Sequence, residues 1–128
     1  AFVSGLDAGR IYQTWPLMGN SFFPNDIVFE NYINLIEFSN HSLVQFYHRN
    51  LAYLITIYTL ILSFFIYKKK LLSLYFATKV LLFFLFLQAF LGILTLVSGL
   101  NIYLASSHQI TSVLLIFSAL NLYYLRTK

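Results

Sequence analysis

Three long apolar runs dominate this sequence, and each is long enough to cross a lipid bilayer. They occupy residues 43–67, 80–100 and 102–125. As an α-helix, the first run would extend about 37 Å, compared with a bilayer core about 30 Å thick. A span in lipid must satisfy its own backbone hydrogen bonds, and a helix does so within one segment. The sequence therefore predicts an all-α membrane protein.

The composition supports a membrane protein and excludes several other classes. Hydrophobic residues make up 59% of the chain and charged residues 9%, whereas soluble domains carry about 25% charged residues. The net charge of +4 does not predict a nucleic-acid surface, because the basic residues cluster at the ends of the apolar runs. The chain has no cysteine, which excludes disulfides and thiolate metal sites.

The basic residues also predict which ends of the spans face inward. Most basic residues lie at those ends of the apolar runs that share one side of the membrane: the triplet at residues 68–70, Lys79, Arg126 and Lys128. The positive-inside rule places that side in the cytoplasm or matrix. Residues 10–42 then form an outer loop, with Trp15 at the membrane interface and a short interfacial helix around residues 26–38. Residues 1–9 are interpreted as the stub of a truncated helix. Residues 1–128 are then a single membrane domain, a four-helix bundle with three full spans and a truncated first helix.

Polar side chains at the start of the first run are the main candidates for a functional site. Gln45, His48 and Arg49 lie within its first turns, and polar residues inside a span are costly and mark functional sites. His108 occupies the same relation to the start of the last run. Both histidines should therefore lie at similar depth, roughly 6–8 Å below the outer helix starts.

The middle run carries polar and small residues on one stripe, which allow close approach of helices or of a flat macrocycle. These residues are Gln88, Gly92, Thr95 and Gly99. We interpret Gln88 as a hydrogen-bonding contact between helices and the glycines as packing residues. If the two histidines act together, their rings should face a common slot lined by Gly92, Thr95 or Ser112.

Two imidazoles without thiolates are compatible with haem iron, zinc or copper. Zinc usually takes three or four protein ligands, and no carboxylate lies near either histidine in the sequence. A haem needs axial ligands, apolar walls and a cation for its propionates, and Arg49 can supply that cation. A haem shared by His48 and His108 is the favoured interpretation. The alternative is that both histidines only hydrogen-bond between helices.

Five segments, in order along the chain, resemble the haem A synthase family. They are GLDAG (residues 5–9), YQTWPLM (12–18), VQFYHR (44–49), LQAFLG (87–92) and SHQ (107–109). The resemblance implies a membrane protein built from two similar four-helix halves. It also implies an oxidoreductase that oxidises a methyl group of haem O to the formyl group of haem A, for cytochrome c oxidase.

The resemblance further implies a role for each half. The substrate half carries Glu three residues before its His-Arg pair, and the half that holds a resident haem b carries Gln. Gln45 stands at that position here, so the chain resembles the C-terminal, haem b half, with His48 and His108 as iron ligands and Gln45 and Arg49 beside the haem. No catalytic residue is expected in it, and by itself the chain is expected to be an inactive part of a longer protein.

The remaining expectations concern location and partners. The family resemblance implies a multi-pass protein of a bacterial plasma membrane or a mitochondrial inner membrane. Its partners would be lipid, the haem O substrate in the missing half, haem O synthase and electron-donor or electron-acceptor proteins; a homo-oligomer is also compatible. The alternative function is a small b-type cytochrome that carries electrons in the membrane.

Overall fold

The computed structural model describes residues 8–26 and 40–128, and the regular elements among them are all helical. The three long helices are α1 (His41–Lys68), α2 (Tyr75–Val97) and α3 (Ile102–Thr127). Short 3-10 turns lie at Ala8–Arg10 and Leu72–Leu74. The segments His41–Lys68, Leu72–Val97 and Ile102–Thr127 are long and apolar enough to cross a membrane. The all-α prediction is confirmed. Most of the helix stub expected at residues 1–9 and most of the interfacial helix expected at 26–38 fall outside the described residues.

The ends of α1 are set by local capping. Asn40 is the N-cap, and its side-chain oxygen accepts a hydrogen bond from the Leu43 N–H at 3.1 Å. The helix therefore begins at His41, before the start expected at residue 43. At the other end Lys70 adopts a left-handed conformation with φ of 54°. The Leu71 N–H then donates to the Ile66 carbonyl at 3.2 Å, which closes the helix with a Schellman motif.

Helix α2 begins at Tyr75, earlier than residue 80, where the sequence placed the second span. Lys79 lies within its first turns and is exposed, and a long lysine side chain can carry its charge outward from a helix end. The helix ends at Val97 with Ser98 as its C-cap, and Gly99, the residue after the cap, has a φ of 71° that suits a residue without Cβ. Asn101 then caps α3 by accepting from the Tyr103 N–H at 3.0 Å, so α2 and α3 form a tight antiparallel pair.

The helices converge at the lysine-rich end and separate toward the other end. A buried cluster joins all three helices there: Ile66, Leu74, Ala77, Leu81 and Leu122. Helix α2 packs along α3 over much of its length, whereas α1 approaches α2 less and α3 hardly at all. The core therefore holds the inner end of the bundle, and the outer end of α1 depends on other contacts.

The described part of the outer loop supplies those contacts. Phe46 of α1 packs edge-on against the rings of Phe22 and Phe23, with centroids 5.9 and 5.0 Å away. At the other side of the loop, a Cβ placed on Gly9 would lie 2.7 Å from Leu100 Cδ2. The loop thus touches both α1 and the α2–α3 turn. It lies at the opposite end of α1 from the three lysines.

Candidate functional site

Most polar side chains of the three helices are satisfied by their own helix. Hydroxyl groups donate to the carbonyl three or four residues earlier at 2.6–2.8 Å, as in Thr56, Thr59, Ser63, Thr78, Thr95, Thr111 and Ser112. The Asn50 amide likewise donates to the Phe46 carbonyl at 2.8 Å. Such internal bonds let polar residues enter lipid without a partner helix. Five side chains behave differently, and together we call them the polar site: Gln45, His48, Arg49, Gln88 and His108.

Helix periodicity places the histidines of the polar site on the inward faces of their helices. His48 precedes the buried Ile66 by about five helical turns, so both residues project from the same side of α1. His108 precedes Leu115, which packs on the inner core, by about two turns. The histidines lie about 9–11 Å from the outer starts of their helices, His41 and Ile102. His48 is deeper than expected because α1 begins two residues before residue 43.

Both ring nitrogens of His108 contact Gln88 of α2. The His108 Nδ1 lies 3.1 Å from the Gln88 backbone carbonyl oxygen, and the His108 Nε2 lies 3.3 Å from the Gln88 side-chain nitrogen. A carbonyl can only accept, so the first contact puts the proton on Nδ1. In the neutral ring Nε2 then carries a lone pair, which accepts from the Gln88 amide. The two contacts therefore specify one tautomer.

Gly92 lets the His108 ring approach α2. A Cβ at Gly92 would lie 2.9 Å from His108 Cε1 and 3.4 Å from its Nδ1. Any side chain larger than hydrogen would push the ring away from the Gln88 carbonyl. The expected contact between His108 and Gly92 is therefore present, whereas the Thr95 and Ser112 hydroxyls are used within their own helices.

His48 is the least constrained member of the polar site. It is exposed, and it makes no hydrogen bond within the part of the chain that the structure describes. It lies within electrostatic range of His108, on the face of α1 where that helix has separated from α3. Ala52 is one turn further along the same face, so no large side chain stands beside the ring there.

Gln45 and Arg49 hold the outer loop on α1. The Gln45 amide donates to the Tyr12 carbonyl at 2.8 Å. The Arg49 guanidinium donates to the same carbonyl at 3.1 Å and to the Leu17 carbonyl at 3.2 Å. Both side chains therefore flank His48 and connect its turn of α1 to the loop.

Asp26 gives the loop a second attachment to α1. It accepts from the Tyr12 hydroxyl at 2.6 Å and from the hydroxyl of Ser42. Burial alone would raise the pKa of Asp26, but the bonds from Ser42 and Tyr12 outweigh it and hold that pKa below its ordinary value. The bond to Asp26, with partial burial, raises the pKa of the Tyr12 hydroxyl.

The polar site still contains unsatisfied atoms. Buried Gln45 Oε1, Arg49 Nε and Gln88 Oε1 have no hydrogen-bond partner among the described residues, although buried polar atoms are usually paired. The described residues contain no group of three or more His, Cys, Asp or Glu side chains that could hold a metal ion. Two imidazoles, an unused Arg49 N–H and a glycine beside one ring fit a haem better than an ion held by protein ligands alone.

The sequence points to all five of these residues, but for Gln88 it predicts only a hydrogen bond between helices. Its interhelical hydrogen bond was expected, yet its partner was not. The sequence signal for this contact is the spacing of Gln88 and Gly92. It places a side-chain amide and a residue without a side chain one turn apart on one helix face. Only the packing of α2 on α3 shows that His108 lies between them.

Comparison with known proteins places the chain in a family. Residues 1–120 match the COX15-CtaA family, described as cytochrome oxidase assembly protein. The chain belongs to this family. It is an integral membrane protein with three helices that can span a bilayer. No solved structure matches it.

Three relatives that are similar to this chain are bacterial proteins named heme A synthase. The protein from Pelagibacter ubique is 46% identical over 92% of this chain and 34% of its own length. The one from the Wolbachia of Brugia malayi is 42% identical over 94% of the chain and 34% of its own length. The protein from Rickettsia prowazekii is 34% identical over 98% of the chain and 37% of its own length. The chain thus spans about a third of the length of these relatives.

Proposed function

We propose that this chain holds a haem b within a haem A synthase, the enzyme that oxidises a methyl group of haem O to a formyl group during assembly of cytochrome c oxidase. The observation that carries the proposal is the contact of His108 Nδ1 with the Gln88 backbone carbonyl. The Nδ1 proton of His108 is directed to this carbonyl, which leaves Nε2 as the nitrogen able to bind a metal. His48, on the facing side of α1, supplies the second imidazole.

The two histidines and Arg49 of the polar site, together with Gly92, have roles in this proposal. His48 and His108 would bind the haem iron, and Gly92 gives the space that lets His108 face inward. Beside its two loop bonds, Arg49 has one buried N–H that is unpaired among the described residues. This N–H suits a propionate. A bound haem would supply a redox-active iron.

The described residues do not supply the acid–base groups of a methyl oxidation. Gln45 cannot take up or deliver a proton at neutral pH, and its amide donates to the loop. Asp26 is the only carboxylate among the described residues, and it lies in the outer loop. We therefore assign no catalytic residue to this chain and expect it to make no haem A by itself. Haem O would bind elsewhere in the enzyme.

The family membership supports a proposal for location and partners. The chain would cross a bacterial plasma membrane or a mitochondrial inner membrane several times, with the three lysines inside. Haem O synthase would deliver the substrate, and electron-transfer proteins would exchange electrons with the haem. The b-type cytochrome alternative uses the same haem site, but the haem A synthase relatives favour the enzyme.

The test is the spectrum of the chain reconstituted with haem b in detergent. Two imidazoles produce a six-coordinate, low-spin haem, so the wild type should show that spectrum. His48→Ala and His108→Ala should each abolish it, because one imidazole leaves the iron five-coordinate. His41→Ala is the matched control and should leave the spectrum unchanged. Low-spin haem in both ligand variants would place the ligands elsewhere.

A further inference from the structure

The Gln88 side chain hydrogen-bonds to Nε2 of His108, the nitrogen that would bind iron in the proposed haem site. The Gln88 side-chain nitrogen lies 3.3 Å from His108 Nε2, and this nitrogen has a single lone pair. It can accept from the amide or bind iron, but it cannot do both. The contact is therefore an alternative to ligation.

The assignment of the Gln88 amide is fixed by its surroundings. If oxygen and nitrogen were exchanged, the oxygen would face Nε2 and would need a proton there. The neutral ring would then have no proton on Nδ1 for the Gln88 carbonyl, which lies 3.1 Å away. With nitrogen toward the ring, both contacts are hydrogen bonds. The cost is that Gln88 Oε1 stays buried with no hydrogen-bond partner in the part of the chain that the structure describes.

Two of the three restraints on the His108 ring do not need the Gln88 side chain. The Nδ1 contact is to the backbone of residue 88, which any substitution retains. The Gly92 contact is packing, with the ring against the helix backbone. Removing the side-chain amide should thus leave the ring and its tautomer in place and free only the lone pair.

We propose that Gln88 is a positioning residue that protects the ligand nitrogen of His108 until haem binds. This inference rests on the proposed haem site and adds a residue to it. The amide satisfies Nε2 in the haem-free protein and keeps the proton off it. Its hydrogen bond must break as iron binds, so Gln88 slows association and has little influence on dissociation.

The test compares the haem-binding kinetics of Gln88→Leu and Gln88→Met with the wild-type full chain in detergent, using ferric haem b. Association should become about 2- to 10-fold faster, the factor for one hydrogen bond of ordinary net strength. Dissociation, measured by haem transfer to apomyoglobin, should stay unchanged. The low-spin spectrum should also be retained. Thr95→Val is the matched control, because the Thr95 hydroxyl bonds only to the Leu91 carbonyl; both of its rates should equal those of the wild type.

A purely structural role for Gln88 predicts the opposite pattern. Slower or unchanged association, or faster dissociation, in both Gln88 variants would overturn the proposal. Nitrogen NMR of the haem-free chain tests the contact independently of haem. The His108 Nε2 resonance should shift in Gln88→Leu while Nδ1 stays protonated, and an unshifted Nε2 resonance would refute the hydrogen bond. If the wild type bound no low-spin haem, the proposed function would fail, but the NMR result would still decide whether Gln88 protects Nε2.

Discussion

Replacing Gly92 with alanine gives the most direct test of how the polar site is built. The new Cβ would lie 2.9 Å from His108 Cε1, closer than side-chain carbons approach one another. The ring cannot move away freely, because its Nδ1 is bonded to the Gln88 carbonyl. We therefore expect Gly92→Ala to strain the ring and weaken this bond.

The size of the effect follows from two opposing terms. Overpacking a well-packed site costs about 1–3 kcal/mol, whereas alanine in a helix is favoured over glycine by about 0.5–1 kcal/mol. The free energy of unfolding should thus fall by about 0–2.5 kcal/mol. In a His108→Ala background the clash is absent, so the same substitution should stabilise the chain by about 0.5–1 kcal/mol.

The assay is a double-mutant cycle measured by reversible unfolding in mixed detergent micelles, followed by circular dichroism. The difference between the two backgrounds is the coupling energy, and it should be about 1–3 kcal/mol. A coupling energy below about 0.5 kcal/mol, within the error of independent sites, would refute the contact between Gly92 and the His108 ring.

Two further predictions concern the outer loop and its side of the membrane. Trp15 is the only tryptophan, so its quenching by iodide reports release of the loop; quenching should increase in Asp26→Asn, which has lost the charged acceptor. The pKa of Asp26 lies below its ordinary value of 3.8 in the folded chain. Asp26 therefore contributes fully to loop attachment when the pH is above its pKa in the unfolded chain. This contribution is lost as the pH falls through its pKa in the folded chain. Wild-type quenching should thus rise as the pH falls below about 4, whereas Asp26→Asn should show no such rise. The chain has no cysteine, so single cysteines introduced at Asn20 and Lys69 should be labelled from opposite sides of sealed vesicles, and labelling from one side would refute the topology.

The helical part of the fold could be predicted because its causes are local. Apolar length predicts the three long helices, and Asn40, Gly99 and Asn101 carry the capping signals that set where they begin and end. Helix α2 begins at Tyr75 and not at residue 80, because Lys79 does not mark a helix boundary. A cation in the first turns of a span can extend its charge to the interface, so it does not end the helix.

The candidate site was less predictable because its partners are distant and are mostly backbone atoms. Gln45 and Arg49 were expected beside a haem, yet they donate to the carbonyls of Tyr12 and Leu17. Every residue except proline offers the same backbone groups, so no sequence pattern marks these particular carbonyls as acceptors. The Gln88 carbonyl that orients His108 is equally invisible in the sequence.

The two histidines differ in how firmly the chain fixes them, and the difference follows from where the helices pack. His108 is held through α2 by a backbone hydrogen bond and by the absence of a side chain at Gly92, within the pair of helices that pack most closely. His48 is on α1, which leaves that pair toward its outer end and is fixed there by loop contacts on either side of the histidine. One imidazole is therefore preorganised by the bundle, whereas the position of the other depends on the loop. A two-ligand site built this way has one fixed ligand, His108. The attachment of the loop to α1 sets the distance of the second ligand, His48, from the first.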